Sequence, residues 1–305
     1  MLSSVPGVED AIVTLRQSTA WPYLQLMRPP NLITAAADIL AGFAAAGLAK
    51  ATSLPWLLVA TICLYGGGVV FNDVFDRNLD AHERPERPLP SGRATLRSAI
   101  LLGTALLAFG IVAAFISSII SGVIALLIAV CAVLYDSWGK HQTFIGPINM
   151  GLCRGLNLLL GVSAAPALIS NRWYLALIPI VYIAAITAIS TGEVKGGKQA
   201  TGLLSLLLLG TVIFALLALT KTSAFSLIAL SPFIVIFVFR VLPPFWRAYL
   251  QPNPVNIRSA VKAGVLSLII LDSVIASGYA GVLYGVLVLS LLFVAAQMAR
   301  IFAVT

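Results

Sequence analysis

Acidic residues are concentrated in one polar stretch, FNDVFDRNLDAHERPERPLPSGR, at residues 71–93. The chain has 11 acidic residues among 305, and five of them lie in this stretch: Asp73, Asp76, Asp80, Glu83 and Glu86. In a helical segment, a rotation of about 100° per residue puts the three aspartates within about 60° of one another. Carboxylates this close repel one another unless a cation lies between them. The spacing therefore predicts a cation site at Asp73, Asp76 and Asp80.

Mg²⁺ is the cation that this cluster favours, because it takes oxygen ligands and commonly bridges protein carboxylates to phosphate oxygens. The same stretch supplies arginines that suit phosphate oxygens: Arg77, Arg84, Arg87 and Arg93. The cluster thus predicts a phosphorylated substrate beside the metal. The alternative is a solvated loop of salt-bridged charges, which we favour for Glu83 and Glu86.

The composition around this stretch is that of a membrane protein. Hydrophobic residues make up 60% of the chain, charged residues 10%, and the mean hydropathy is +1.01. A soluble domain has about 25% charged residues. The formal net charge of +8 therefore indicates membrane topology rather than a nucleic-acid partner, since the basic residues are spread over several loops.

Apolar segments of about 20 residues are long enough to cross the hydrocarbon core. Ten candidates occur, at 31–49, 54–74, 97–117, 119–137, 143–166, 172–192, 202–220, 223–243, 259–277 and 279–299. We therefore predict an all-α transmembrane bundle of nine or ten spans that forms one domain over residues 1–305. Residues 1–28 are predicted to lie on the membrane surface as an amphipathic helix, and 75–97 and 193–200 to form cap loops.

The distribution of Lys and Arg predicts the orientation of this bundle. If the N-terminus lies on one side, that side receives 15 basic residues and the other side receives Lys50, Arg172 and Lys221. The positive-inside rule then predicts a multi-pass protein of the cell (inner) membrane with a cytoplasmic N-terminus. The polar clusters at 72–93, 135–142 and 193–199 all fall on the cytoplasmic side, which favours an active site that opens there.

The first polar stretch also resembles a family motif. Asn72-Asp73-Val74-Phe75-Asp76-Arg77-Asn78-Leu79-Asp80, followed by Arg87-Pro88-Leu89-Pro90-Ser91-Gly92, is similar to the NDxxDxxxD and RPLxSG pattern of the UbiA superfamily of intramembrane prenyltransferases. Arg28-Pro29-Pro30-Asn31 resembles the start of that family's first span. The family's fold is a helical bundle, usually of nine spans.

The resemblance implies a reaction and its participants. Such enzymes use Mg²⁺ to move a prenyl group from a prenyl diphosphate to an aromatic or other lipophilic acceptor, in contact with membrane lipids. Asp73, Asp76 and Asp80 are then the metal ligands, and the basic side chains neutralise the leaving diphosphate. The sequence makes no prediction of the oligomeric state.

The second motif of that family, DxxDxxGD, is degenerate in this chain. Gly192-Glu193 fits its end, but Ile186 and Ile189 stand where the two upstream aspartates would align. One interpretation is a single metal on the first motif, with Glu193, Lys195 and Lys198 supporting the substrate. The other is a UbiA-like scaffold that binds or transports lipid without catalysis. The divergence is reminiscent of the EboC type.

The remaining candidate residues are polar groups in or beside apolar segments. Arg154 lies about 11 residues into the fifth segment, with Asn157 on a similar face. We expect Arg154 to contact phosphate or the aspartates, or else to form a buried pair with Asp38 or Asp136. Tyr135 and Lys140 either approach the diphosphate, as in the family, or anchor the membrane boundary. The predicted catalytic residues are Asp73, Asp76, Asp80, Lys140 and Arg154, and the predicted substrate-binding residues are Asn31, Asn72, Arg77, Arg87, Arg93, Tyr135, Asn157, Glu193, Lys195 and Lys198.

Overall fold

The computed structural model describes residues 16–142, 145–193 and 196–302. Every element of three or more residues in these ranges is helical, as the sequence predicts. The principal helices are α1 (Trp21–Met27), α2 (Pro29–Ala45), α3 (Leu54–Phe75), α4 (Arg77–Glu83), α5 (Leu96–Ser117), α6 (Ile119–Ser137), α7 (Ile145–Val162), α8 (Leu177–Ser190), α9 (Gln199–Ala218), α10 (Leu227–Leu250), α11 (Pro254–Leu266), α12 (Leu268–Ala280) and α13 (Val282–Ile301).

Nine helical segments within the described residues are long and apolar enough to cross a membrane. They run from Ala51–Phe75 to Val282–Ile301, and the eighth, Pro254–Ala280, joins α11 and α12. The helix α2 is a tenth apolar helix of 17 residues, which is about 25 Å at 1.5 Å per residue. Nine of the ten predicted apolar segments therefore correspond to one helix each, and 259–277 corresponds to α11 and α12. The prediction of nine or ten spans is confirmed.

Two pairs of helices with very short connections are separated by a residue whose backbone is not helical. Ser118, between α5 and α6, has an extended backbone, and its hydroxyl accepts a hydrogen bond from the Ser121 N–H. Gly281, between α12 and α13, has φ of 86°, which glycine adopts without strain. Apolar runs that look continuous are therefore separate helices.

Helix α2 lies at the centre of the bundle. It contacts α3, α7, α12 and α13, and 13 of its 17 residues are buried. Its crossing with α7 is close, because a Cβ on Gly42 would collide with the Leu158 carbonyl and lie 2.8 Å from the Gly161 Cα. This central position places the N-terminal end of α2 beside the C-terminal end of α3, where the acidic motif begins.

The described part of the predicted surface helix is short. Residues 1–15 lie outside the described residues, and α1 covers Trp21–Met27 only. Trp21 stacks on Phe302 with ring centroids 4.6 Å apart. This contact joins α1 to the end of α13, so α1 lies beside the same end of the bundle as the acidic motif.

Candidate active site

Two of the three aspartates share one arginine. Arg87 Nη1 lies 2.7 Å from Asp80 Oδ2 and 3.4 Å from Asp73 Oδ1. Asp73 is in the last turn of α3 and Asp80 is in α4, and both carboxyl side chains are 7% exposed. The helix is interrupted at Asp76, whose ψ is 0°, so the aspartates do not lie on one continuous α-helix. Arg87 holds the two flanking carboxylates together across this interruption.

Arg28 is a site residue that the sequence analysis did not include. Its Nη2 lies 2.6 Å from Asp73 Oδ1, and it occupies the junction between α1 and α2 with φ of 47°. A left-handed backbone is unfavourable for a residue other than glycine, and such strain clusters at functional sites. The signal for Arg28 in the sequence is its position directly before Pro29 and Pro30, which also carry the family resemblance.

The third aspartate has different partners. Lys140, which follows the end of α6, places its Nζ 2.6 Å from Asp76 Oδ1. Beside them, Asn72 donates from Nδ2 to Asp136 Oδ1 at 2.8 Å, and Asp136 is buried. The structure therefore brings the predicted residues Asn72, Asp76 and Lys140 together, and it adds Asp136 to the group.

A cavity of about 280 Å³ opens beside Asp73, and arginines dominate its lining: Arg28, Arg84, Arg87 and Arg93, with Gln25, Asp73, Glu86 and Pro88. Arg93 is fixed by two contacts, since it donates to the Gln25 side chain at 2.8 Å and to the Glu86 carbonyl at 2.6 Å. Four guanidinium groups facing two carboxylates make this cavity suitable for an anion with several oxygens.

The carboxylates suit a Mg²⁺ ion, although in this structure they are paired with cationic side chains. The described residues contain no cluster of three acidic, histidine or cysteine side chains arranged around one point. Mg²⁺ needs only one or two carboxylates when substrate phosphates and water complete its shell. Asp73 and Asp80, whose oxygens lie within 3.4 Å of one Arg87 nitrogen, fit that requirement.

Comparison with known proteins identifies the family. The profile of the UbiA prenyltransferase family matches residues 32–253, which is more than half of the chain. The chain belongs to the UbiA prenyltransferase family.

Several curated relatives of this UbiA chain have the same name. The digeranylgeranylglyceryl phosphate synthase of Methanothrix thermoacetophila is 34% identical over 150 residues, which are 48% of this chain and 56% of the relative. The enzyme of that name from Sulfolobus acidocaldarius is 29% identical over 211 residues, or 63% and 75% of the two chains. The chain spans little more than half the length of the first of these relatives.

Solved structures share the UbiA fold. A UbiA homolog from Aeropyrum pernix K1 superposes with a TM-score of 0.68 at 15% identity, over 80% of this chain and 96% of that one. A UbiA homolog from Archaeoglobus fulgidus bound to DMAPP and Mg²⁺ superposes with a TM-score of 0.53 at 17% identity, over 88% and 99% of the chains. At these identities the likeness shows the fold alone.

The degenerate second motif of this UbiA chain is part of the apolar core. Ile186 and Ile189 are 6% and 2% exposed and belong to the largest buried apolar cluster. A Cβ added to Gly264 would lie 2.9 Å from the Ile186 side chain, so this isoleucine fills space against α11. The two positions thus contribute packing where carboxylates would contribute charge.

Glu193, at the end of that motif, has cationic neighbours. It is half-buried, and burial raises the pKa of its carboxyl above the ordinary value, while Arg258 and Arg84 act in the opposite direction. Arg84 also lines the cavity beside Asp73, so Glu193 lies near the first polar stretch. Lys198 is exposed before α9, Arg77 is exposed in α4, and Lys195 lies outside the described residues. Asn31 and Tyr135 are half-buried in α2 and α6.

Arg154 and Asn157 belong to a second polar group, deeper in the bundle. Arg154 Nη2 lies 3.0 Å from Asp38 Oδ1, and Nη1 donates to Thr34 Oγ1 at 3.2 Å. Asn157 donates to Asp38 Oδ2 at 2.8 Å and accepts from the Thr61 hydroxyl at 2.7 Å. The structure thus gives Arg154 the buried partner Asp38 that was the alternative to phosphate, and its predicted catalytic role remains a prediction.

Proposed function

We propose that this protein transfers a prenyl group from a prenyl diphosphate to a lipophilic acceptor, with Mg²⁺ as cofactor, at the cytoplasmic end of the bundle. The observation that carries this proposal is the arginine-lined cavity beside Asp73, in which carboxylates for a metal and guanidinium groups for phosphate oxygens lie in contact. Such a concentration of opposite charges at one end of an apolar bundle indicates that a charged ligand binds there.

The residues of the cavity have separate tasks in this proposal. Arg28, Arg84, Arg87 and Arg93 bind the diphosphate oxygens and stabilise the negative charge that develops when the allylic C–O bond breaks. Asp73, Asp80 and Asp76 would hold Mg²⁺, which when bound neutralises further charge on the leaving group. The apolar helices around them exclude water from the electron-deficient prenyl carbon.

For Lys140 we propose a change of partner. In this structure its Nζ lies 2.6 Å from Asp76 Oδ1. Asp76 would be a ligand of Mg²⁺, and the Lys140 ammonium group would then be available to the diphosphate. The ion pair thus keeps both side chains in place before the substrate binds.

The acceptor that we propose is a prenylated glyceryl phosphate, and the donor is geranylgeranyl diphosphate. The support is the shared name of the curated relatives, digeranylgeranylglyceryl phosphate synthase. The exposed basic residues around the cavity are compatible with a second phosphate-bearing substrate.

A second candidate function is lipid binding without catalysis. It is favoured by one observation, the replacement of two aspartates of the second motif by the buried Ile186 and Ile189. This candidate predicts that lipids bind independently of Mg²⁺, whereas prenyl transfer requires binding that depends on both the metal and the aspartates.

Thermal protection in detergent separates the two functions. We expect geranylgeranyl diphosphate to raise the melting temperature of the wild type only when Mg²⁺ is present, and we expect Asp73→Asn and Asp76→Asn to abolish the effect. Glu83→Gln is the matched control, because Glu83 is an exposed acid of α4, and it should behave like the wild type. Protection without Mg²⁺, or protection that survives both aspartate substitutions, would favour lipid binding.

Product formation is the direct test. Labelled geranylgeranyl diphosphate and geranylgeranylglyceryl phosphate, supplied with Mg²⁺, should give a doubly prenylated product that chromatography separates from the donor alcohol. Release of the alcohol alone would show that the donor site functions and that the proposed acceptor is wrong.

A further inference from the structure

The polar group inside the bundle contains two acids and one base. Asp38 of α2, Arg154 of α7 and Asp272 of α12 are 1%, 5% and 2% exposed, and each lies away from the ends of its membrane-crossing segment. Charged groups at this depth are costly unless they are paired. If both acids were ionised, the group would have a net charge of −1 in an apolar environment.

The contacts of Asp38 identify it as the ionised acid. One of its oxygens lies 3.0 Å from Arg154 Nη2, and the other accepts from Asn157 Nδ2 at 2.8 Å. One oxygen is therefore in an ion pair and the other accepts a hydrogen bond, which suits a carboxylate. The Arg154 guanidinium is held in turn by the hydroxyl and carbonyl oxygens of Thr34, both at 3.2 Å.

Asp272 has a different environment. Its Oδ2 is buried without any hydrogen-bond partner, and its helix α12 packs against α2. Among the described residues, the guanidinium group of Arg154 lies within ion-pair distance of Asp38 and not of Asp272. An ionised carboxylate without a cation beside it is costly in an apolar bundle, whereas a carboxylic acid has no net charge and has a hydrogen to donate. Asp38 is the acid with the cationic partner, so Asp272 is the one that suits the neutral form.

We propose that the bundle contains a proton-binding site at Asp38 and Asp272, in which Asp272 is a neutral acid that donates its proton to the Asp38 carboxylate. The group then consists of one arginine, one carboxylate and one carboxylic acid, with no net charge. The bound proton links α12 to α2, while Arg154 and Asn157 link α2 to α7. The tests of this site measure stability and protonation rather than activity, so their outcome does not depend on the proposed reaction.

Asparagine substitutions distinguish the two acids. Asparagine has nearly the shape of a protonated aspartate and can donate a hydrogen bond, so Asp272→Asn should leave the melting temperature within about 2 °C of the wild type. Asp38→Asn removes the charge that neutralises Arg154 and should lower it by roughly 10 °C. Ser273→Ala is the matched control, since Ser273 is the buried neighbour of Asp272 and donates only to the Ile269 carbonyl.

Infrared spectroscopy detects the protonated carboxyl group directly. The wild type should show the carbonyl band of a protonated carboxylic acid, the band should shift in deuterated water after full exchange, and it should be absent from Asp272→Asn. If Asp272→Asn destabilises the protein as much as Asp38→Asn, or if the difference spectrum contains no such band, the proposal is overturned. Stabilisation of the wild type but not of Asp272→Asn by Na⁺, with K⁺ as the comparison, would show that the site binds a metal cation and would also overturn it.

Discussion

Arg87 is the side chain that connects the two flanking aspartates, so it should be the most sensitive arginine of the cavity. Arg87→Ala removes hydrogen bonds to both Asp73 and Asp80 as well as a donor to the diphosphate. We expect at least a tenfold increase in the concentration of geranylgeranyl diphosphate needed for half-maximal thermal protection, which corresponds to about 1.4 kcal/mol. Arg87→Lys retains the charge without the planar guanidinium group. The concentration that this variant needs should lie between those of the wild type and Arg87→Ala.

Arg97 provides the control for this prediction. It is exposed in the first turn of α5 and does not line the cavity. Arg97→Ala changes the net charge by the same amount, so equal losses of donor affinity in both alanine variants would show that only the overall charge matters.

The ion pair of Lys140 and Asp76 can be tested by a double-mutant cycle. Lys140→Met keeps the aliphatic length but leaves the Asp76 carboxylate, 19% exposed, without its cation. We expect it to lower the unfolding temperature, and we expect the added substitution Asp76→Asn to recover most of the loss, because the two side chains act as a unit. Thermal protection by geranylgeranyl diphosphate should not recover, since the double variant lacks a proposed metal ligand. Additive effects on stability would contradict the pairing.

Close helix packing controls the position of α2, and its glycines should not tolerate larger side chains. A Cβ on Gly161 would collide with the Ile39 carbonyl and lie 2.9 Å from the Gly42 Cα. Backbone atoms cannot move aside as side chains do, so Gly161→Ala should cost about 3 kcal/mol in the free energy of unfolding. It should also weaken thermal protection by geranylgeranyl diphosphate, because Arg28 immediately precedes α2.

The matched control for the Gly161 substitution lies in α9. A Cβ on Gly210 would have no atom within 4 Å, and alanine is the better helix former by about 1 kcal/mol. Gly210→Ala should therefore leave the unfolding temperature unchanged or raise it. Equal destabilisation by both substitutions would mean that the α2–α7 crossing has no special role.

Hydropathy and length were sufficient to predict the helices, because a membrane span must satisfy its backbone hydrogen bonds within itself. The interruption at Asp76 and the break at Ser267 between α11 and α12 were not predicted. Both breaks lie where the local residue types are compatible with a continuous helix, and tertiary contacts decide the backbone there.

The sequence predicts which residues belong to the candidate site better than it predicts which residues they pair with. The spacing of Asp73, Asp76 and Asp80 predicts a site at the end of the bundle where these ion pairs lie, because the signal is local. The pairing of Arg28 with Asp73 joins residues 45 positions apart, and that of Arg154 with Asp38 joins α7 to α2. Such contacts depend on which helices are neighbours, and an apolar pattern does not encode that.

The orientation of the whole molecule follows from how the described helices alternate across the membrane. Arg28, Asp76, Arg87 and Lys140 are linked by ion pairs or by short chain segments, so they lie at one end of the bundle. The connections at Ser118 and Gly281 are at the opposite end, because a single span separates each from the acidic end. The 15 to 3 distribution of basic residues then predicts that the acidic end faces the cytoplasm.

Cysteine labelling tests this orientation. Ser91→Cys places a thiol at an exposed position of the cap, and Thr222→Cys places one at an exposed position after α9, at the other end. A membrane-impermeant maleimide should label the second variant in intact cells and the first only after permeabilisation, while the wild type reports the background from Cys63, Cys131 and Cys153, of which none is exposed. The opposite pattern would place the proposed active site outside the cytoplasm, where a soluble prenyl diphosphate pool would not reach it.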